Sequence, residues 1–469
     1  MKDSFMNRSR LILFFVLSFF ALTLPSLLFA ASVSGNNTGI TLDDAVRIGL
    51  EKSRVLEIAR LDREMAGQKI RETWSTVLPQ ISTDISYTRS LKPTVLFFPD
   101  IFQGGSGTSF KPLSISADNA ATTTLGLNQS IFNASAFAGI RAAGLIRKIS
   151  EAAYRNTETS VVADIKMAYF DALISKDQLK LIEQSIARWE ESRKDTQAMF
   201  RQGVAADIDT LKAFLSVENL RPELLQAENR VGIAITRLKN SMGISPDSTL
   251  ILAGKLELSS SASYPSDIAA AYREALDRRP DIRQLDLQEQ VEGEKISAAR
   301  AENFPVLSVF GRLESQTAFN DAAQLSHSRW PVSSSIGIQL SLPIFTGFRI
   351  SSKVEQAKIE QIQTRTRLED LKANIRAEIE VILASFRESQ KRIMVQSKTI
   401  SVAERSYKIS QLRFREGIGS RLELTDTELQ LNKAKTNYLQ AVYDYLVATV
   451  RLEKALGRAP LMSVADGKG

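Results

Sequence analysis

The chain carries the same marks twice. Phe200-Arg201-Gln202-Gly203-Val204 returns as Phe414-Arg415-Glu416-Gly417-Ile418, Ile131-Phe132 as Ile344-Phe345, and Met242-Gly243 as Leu456-Gly457, each about 214 residues later. A period this long lies far outside the roughly 20 to 50 residues of a solenoid repeat. The reading is two copies of one large unit, set side by side in one body. What each unit contains then decides what the chain can do.

The front of the chain bears on its compartment. Lys2, Arg8 and Arg10 precede an apolar run from Leu11 to Leu28 that ends at the small residues Ala30, Ala31 and Ser32. These are the three regions of a secretory signal peptide, expected over residues 1–31 with cleavage near Ala30 or Ala31. Beyond it, no stretch reaches the roughly 20 apolar residues of a spanning helix, so the remaining chain is soluble or crosses a membrane as strands. The chain contains no cysteine, which excludes disulfides, thiolate metal sites and cysteine nucleophiles. Its one histidine, His327, lies in a Ser-rich stretch and reads as a surface residue, arguing against zinc and Ser-His-Asp chemistry. Net charge is +7, of which Lys2, Asp3, Arg8 and Arg10 supply +2, leaving +5. Lys and Arg interleave with Glu and Asp rather than forming a basic stripe, so nucleic acid is not an expected partner.

Residues 145–202 and 348–416 contain neither Gly nor Pro. As straight helices these stretches span roughly 85 to 100 Å at about 1.5 Å per residue. Val161, Ile165, Ala168, Ala172, Leu179, Ile182, Ile186 and Trp189 in the first, and Leu368, Leu371, Ile375, Ile379, Ile382 and Phe386 in the second, are spaced as coiled-coil packing stripes. Each long helix ends at a Gly-containing turn, Gly203 to Ala206 or Gly417 to Ser420, and a second helical pattern returns to Gly243 or Gly457. That makes two antiparallel helical hairpins, at about 134–243 and about 347–457. Pro222 falls inside the first return helix and is expected to kink or interrupt it, whereas its counterpart Thr436 is not. Further helices open each unit, from Thr41-Leu42-Asp43-Asp44 to Leu78-Pro79 and from Ser266-Asp267 to Phe304-Pro305.

After each proline the period switches to two. Ile81, Thr83, Ile85 and Tyr87 oppose Gln80, Ser82, Asp84 and Ser86, and Leu125, Leu127 and Ile131 oppose Thr124, Gly126, Asn128 and Ser130. In the second unit Leu307, Val309 and Leu313 alternate with Ser308 and Arg312, with Phe310 breaking the polar face, and Ile336, Ile338, Leu340 and Leu342 alternate with Ser335, Gly337, Gln339 and Ser341. Strands are expected at about 80–88, 122–132, 306–315 and 333–345. These lengths suit tilted membrane-spanning strands, though a soluble sandwich alternates in the same way. Small polar residues on one face, and aromatics such as Tyr87, Phe97, Phe98, Phe102, Phe310 and Trp330 near strand ends, favour the membrane.

Four strands cannot close on themselves, since the smallest membrane-spanning barrels have about eight, and an open edge in lipid costs several kcal/mol per unpaired group. If the strands lie in lipid, several chains must share one barrel.

The order of leader, helix, Leu-Pro, strand hairpin, Ile-Phe and long helical hairpin with Phe-x-x-Gly at its tip, all repeated, closely resembles the TolC-like outer-membrane efflux and export proteins. Leu340-Ser341-Leu342-Pro343-Ile344-Phe345-Thr346-Gly347 and the two tips carry the resemblance most specifically. It implies a mainly α, internally duplicated fold with a transmembrane β part. In such a fold the helical hairpins form an α-barrel, and a homotrimer shares one barrel of 12 strands, four from each chain. It further implies that the protein sits in the outer membrane of a Gram-negative bacterium with its helices in the periplasm. There it would export small molecules or proteins in a tripartite efflux or type I secretion system, with a periplasmic adaptor and an inner-membrane pump as partners, outer-membrane lipid around it, and neither cofactor nor catalysis. The implied units are 41–243 and 266–457, joined by a linker at 244–265 and followed by a tail at 458–469.

In such proteins a carboxylate stands six residues after each tip glycine. Here these are Asp209 after Gly203 and Glu423 after Gly417, with Asp426 on the same helical face as Glu423. Repeated around an axis they would form rings of negative charge favouring cations; by themselves they are also ordinary acids at a helix start. The position two after Gly417, where the family uses an arginine to tie the entrance shut, is Gly419, which leaves Arg421 as the substitute. The turns Gly203-Val204-Ala205 and Gly417-Ile418-Gly419 are candidate adaptor contacts, although turn chemistry alone accounts for them. The stretch from Leu91 to Asn119 is expected to be an exposed loop, and its Gly104-Gly105-Ser106-Gly107 lacks the context of a phosphate loop. The competing class is a soluble periplasmic coiled-coil scaffold.

Overall fold

The computed structural model describes residues 39–92, 94–99, 110–114, 116–256, 264–265, 267–321 and 328–458. The expected leader, Phe102, the Gly104–Gly107 run, His327 and the tail beyond Arg458 lie outside the described residues. The first unit runs α1 (Leu42–Lys52), α2 (Arg54–Ser75), β1 (Gln80–Arg89), β2 (Val95–Pro99), β3 (Phe110–Ser114), β4 (Asn119–Phe132), α3 (Ala134–Arg201), α4 (Asp207–Glu218) and α5 (Leu220–Met242). The second runs α6 (Ile268–Arg278), α7 (Pro280–Ala301), β5 (Val306–Phe319), β6 (Val332–Ser341), α8 (Arg349–Arg415) and α9 (Arg421–Ala455).

The opening stretch of each unit is two helices, not one. Thr41 begins α1 with a capping box, accepting from the Asp44 amide at 3.2 Å while Asp44 accepts from the Thr41 amide at 3.3 Å. The chain then turns extended at Ser53, and again at Arg279 ahead of Pro280. What sits at each break explains it. Gly243, at φ +72°, ends α5 so close that an added Cβ would lie 2.2 Å from the Lys52 carbonyl oxygen, and Gly457, at φ +65°, would put one 2.8 Å from the Arg279 nitrogen. Each break admits the backbone of a returning helix, and only glycine both adopts the left-handed cap and fits there.

These contacts close one core per unit. Ala45 and Val46 pack on Val161, Ile165, Tyr169 and Leu238 in the first. Ala271 and Ala275 pack on Leu368, Ile375, Ile379 and Leu452 in the second. The long helices α3 and α8, of 68 and 67 residues, run the full length of the helical body. Toward the sheet their neighbours give the packing sequence α2, α3, α7, α8, and toward the tips α5, α3, α9, α8. The linker crosses between units: Ile40 pairs with Ile251 and Ala253 at 2.7 and 3.1 Å, and Glu453 of α9 accepts from both Tyr264 and Lys166 at 2.9 Å.

The four long strands form one antiparallel sheet in the order β1-β4-β5-β6. Its register, with Ile81 opposite Leu127, Leu125 opposite Leu313, and Val309 opposite Ile338, gathers the apolar alternation onto one continuous face. Both outer strands, β1 and β6, have a free edge. The Leu91–Asn119 stretch is not simply an exposed loop. It folds partly into the β2–β3 ribbon, whose base is held where Arg89 and Asn119 both donate to Asp321, at 2.8 and 2.9 Å. The strand expected to reach residue 345 stops at Ser341, because Pro343 has no N–H to continue the ladder.

Candidate functional site

Both tips are built by left-handed glycines. Gly203 at φ +74° and Gly417 at φ +73° meet nothing that an added Cβ would strike, so backbone conformation alone selects glycine there. Gly419 is different. An added Cβ would stand 2.9 Å from the Phe414 nitrogen and 3.0 Å from the Arg413 carbonyl carbon, while the Gly419 amide donates to the Arg413 carbonyl at 2.9 Å. The turn folds back on itself too tightly for any side chain, which accounts for the arginine standing two residues later. Val204 and Ile418 remain exposed at the tips, and Ala205 lies between Val204 and the start of α4.

Arg421, in the first turn of α9, reaches across to α3. It donates to the Thr196 hydroxyl at 3.0 Å and its guanidinium lies over the Trp189 ring at 5.9 Å. Burial pushes this guanidinium down, opposed by the Asp209 carboxylate across a groove of about 650 Å³ that both residues line. The structure therefore brings Arg421 and Asp209 to one groove without a direct bond between them. Glu423 is held apart from them: its carboxylate faces Arg413 at 3.6 Å and accepts from Ser410 at 3.4 Å, and its amide caps on Ser420 at 3.1 Å. Asp426 is exposed one turn further on.

Behind the tips lies a polar network that the sequence reading missed. Arg188 of α3 donates through Nε to both carboxylate oxygens of Glu428, at 2.8 and 3.1 Å, and through Nη2 to Asn432 at 2.8 Å. Ser185 donates to Glu428 at 3.2 Å and accepts from Asn432 at 2.8 Å. Tyr407 of α8 lies near enough that burial, reinforced by the Glu428 charge, pushes its hydroxyl up to about 12. Closer to the tips, Arg415 of α8 bonds Glu191 and Asp195 of α3. These partners stand more than 200 residues apart in sequence, and no local pattern marks them.

At the other end, the sheet exposes its apolar face: Ile81, Ile85, Ile336 and Ile338 are 73 to 83 % exposed. Such a face is unfavourable in water and suits lipid. The opposite face is polar, with Arg312 and Glu314 3.5 Å apart. Phe310, which breaks the polar alternation, lies over Gly337 on the neighbouring strand, its Cζ 2.6 Å from where a Cβ would stand. None of the described helices is long and apolar enough to cross a membrane.

A family model described as outer membrane efflux protein matches residues 47–244 and 271–458, one match in each unit. The chain is 25 % identical over 311 residues to the probable efflux pump outer membrane protein TtgC of Pseudomonas putida, covering 66 % of this chain and 62 % of that protein. It is 22 % identical over 405 residues to outer membrane protein TolC of Escherichia coli, covering 84 % and 78 %. Among solved structures, the Campylobacter jejuni CmeC outer membrane channel superposes with a TM-score of 0.69 at 18 % identity, covering 93 % of each chain. Duplicated helical hairpins, an apolar-faced sheet with free edges and family matches across both units lead to one conclusion: the chain belongs to the outer membrane efflux protein family and sits in the outer membrane of a Gram-negative bacterium, with its long helices in the periplasm.

Proposed function

We propose that three copies of the chain close into one conduit, a 12-stranded barrel made of four strands per copy, and that small molecules leave the cell through it. A periplasmic adaptor and an inner-membrane pump would supply coupling and energy, and the chain itself would catalyse nothing. One observation carries the assembly. Helices α6 and α7 repeat α1 and α2 in length, 11 and 22 residues, at a constant offset of 226 residues, Arg54 to Pro280 and Ser75 to Ala301. In α7, between α3 and α8, Leu287 and Val291 are 2 % exposed; their counterparts in α2, Leu61 and Met65, are 50 and 66 % exposed. The same helix position is buried where a second unit covers it and bare where the chain ends. The bare side of α8, with Ile359 and Ile362 exposed, is the complementary surface that a second copy brings. Closure in the sheet has the same logic: the free edge of β6 meets the free edge of β1 of the next copy, and lipid then faces no unpaired backbone.

At the periplasmic end, Asp209, Glu423 and Asp426 would ring the entrance with carboxylates, with Arg421 as the counter-charge. The tips Gly203-Val204-Ala205 and Gly417-Ile418-Gly419 would meet the adaptor. Because Arg413 partly neutralises Glu423 while Asp426 is exposed, Asp426 should contribute most to cation preference. The test is reconstitution. Purified in mild detergent, the protein should have the mass of a trimer and conduct in planar bilayers with cation preference, which the double variant Glu423→Gln/Asp426→Asn lowers. A monodisperse monomer stable without detergent would refute the conduit.

A further inference from the structure

The two return helices differ. α9 is one uninterrupted helix of 35 residues, whereas its counterpart is split at Asn219 into α4, of 12 residues, and α5, of 23. Pro222 is the cause: it has no N–H for the Glu218 carbonyl four residues back, and its ring crowds that carbonyl. Thr436 imposes no such gap on α9.

The ties across the tips are equally uneven. α9 is bound to α3 through Arg188, Glu428, Asn432 and Ser185, and through Arg421 and Thr196. It is bound to α8 through Lys435 and Glu404 at 3.1 Å. α8 is bound to α3 through Arg415. Among the described residues, the side-chain bonds of α4 stay local: Thr210 to Asp207, Ser216 to the Lys212 carbonyl, and Glu218 to Arg221 across the break. Its fully buried residues are the small Ala213 and Val217. Open space flanks it, with the groove of about 650 Å³ between α4 and α9 on one side and a second of about 430 Å³ beside the break, lined by Leu220, Glu223, Gln178 and Asn432.

We propose that α4 is a hinged arm pivoting at Asn219–Pro222, and that this arm, rather than the α8–α9 hairpin, is the part of the entrance that moves in this chain. The inference rests on the channel reading only for what the motion opens; the motion itself stands on the break, the missing ties and the two grooves. Swinging toward α9 narrows the larger groove and carries Asp209 toward Arg421; swinging away widens it. The Arg188–Glu428 network holds α9 as the fixed post.

The chain has no cysteine, so spin labels can be placed at will. Pulsed EPR between labels at the exposed positions Lys212 of α4 and Lys194 of α3 should give a broad or two-peaked distance distribution. Labels at Gln430 of α9 and Lys408 of α8 should give one narrow peak. In Pro222→Ala the α4 distribution should collapse to a single peak, its bent population falling roughly 100-fold, the equivalent of the ~3 kcal/mol that an interior proline costs a helix. An α4 distribution no broader than that of α9, or one unmoved by Pro222→Ala, overturns the hinge whether or not the protein conducts. The role in opening is read separately. Joining Ser216→Cys to Thr425→Cys across the groove with a reducible bifunctional thiol reagent should cut conductance about tenfold or more, reversed by reductant. Joining Ser185→Cys to Asn432→Cys should leave it unchanged. The opposite pattern in a conducting protein assigns the motion to α9 and overturns the proposal.

Discussion

Removing Arg188 should cost more than any other single truncation near the tips. Glu428 is 1 % exposed, and Arg188 supplies both of its charged hydrogen bonds as well as the bond that orients Asn432. Arg188→Ala leaves an ionised carboxylate in the α3–α9 interface with only the neutral donors Ser185 and Asn432, at 3.2 and 3.1 Å. Stranding one member of such a pair typically costs about 3–5 kcal/mol. Glu428→Gln should cost less, about 1–3 kcal/mol, because the Arg188 side chain is 19 % exposed and can recover water. Replacing both, Arg188→Met with Glu428→Leu, removes the desolvation of two charges together with their attraction and should return to within about 1 kcal/mol of the parent. The assay is guanidinium unfolding followed by helical circular dichroism in detergent. The midpoints should order as parent and double variant together, then Glu428→Gln, then Arg188→Ala. A double variant as unstable as Arg188→Ala would refute the reasoning, since it would show that the two residues act independently and not as a desolvated pair.

Leu61→Asp with Met65→Asp should abolish the trimer band on unheated gels while leaving the monomer helical, because a charge would then enter the face that a second copy covers; an undisturbed trimer would place the seam elsewhere. Gly419→Arg, which places an arginine where the resemblance expects one, should destabilise the second tip, seen as faster proteolysis there, since the Arg413–Phe414 backbone leaves no room for a Cβ. Gly243→Ala should be far more damaging than Gly203→Ala, measured by folded yield: both have positive φ, but only the first collides with the Lys52 carbonyl. Bonds from Lys353 and Arg349 hold the Glu302 carboxyl below its ordinary value. A depressed carboxylate contributes stability that is present above its unfolded pKa of about 4.3 and is lost as pH falls through the lower folded value. Acid sensitivity of the α7–α8 junction below about pH 4 should therefore shrink in Glu302→Gln, measured by thermal melts across pH.

Period and punctuation made much of the fold legible. The long helices announced themselves by the lack of proline and by their apolar spacing, and the strands by strict alternation after Leu78-Pro79 and Phe304-Pro305. The helix breaks at Ser53 and Arg279 were not legible, because their cause is Gly243 or Gly457 arriving from a distant helix. The pairing of Met242-Gly243 with Leu456-Gly457 was visible as a repeat, but its meaning was not. At the tips, the turns and carboxylates could be named from spacing, yet nothing local showed that Glu423 would pair with Arg413, that Arg421 would turn to Thr196, or that Glu428 would be buried.

By itself the sequence determined the duplication, the lengths of the helices and the two-faced strands, since each follows from interactions spanning a few residues: hydrogen bonds four apart, side-chain periods of 3.6 and 2, and the dihedral limits of glycine and proline. Only the tertiary structure decided which charges meet, where helices break to admit a neighbour, and which apolar faces the chain leaves uncovered. Those outcomes depend on the register between segments some 200 residues apart, and that register is set by how whole helices pack, a sum over many contacts that no single residue announces.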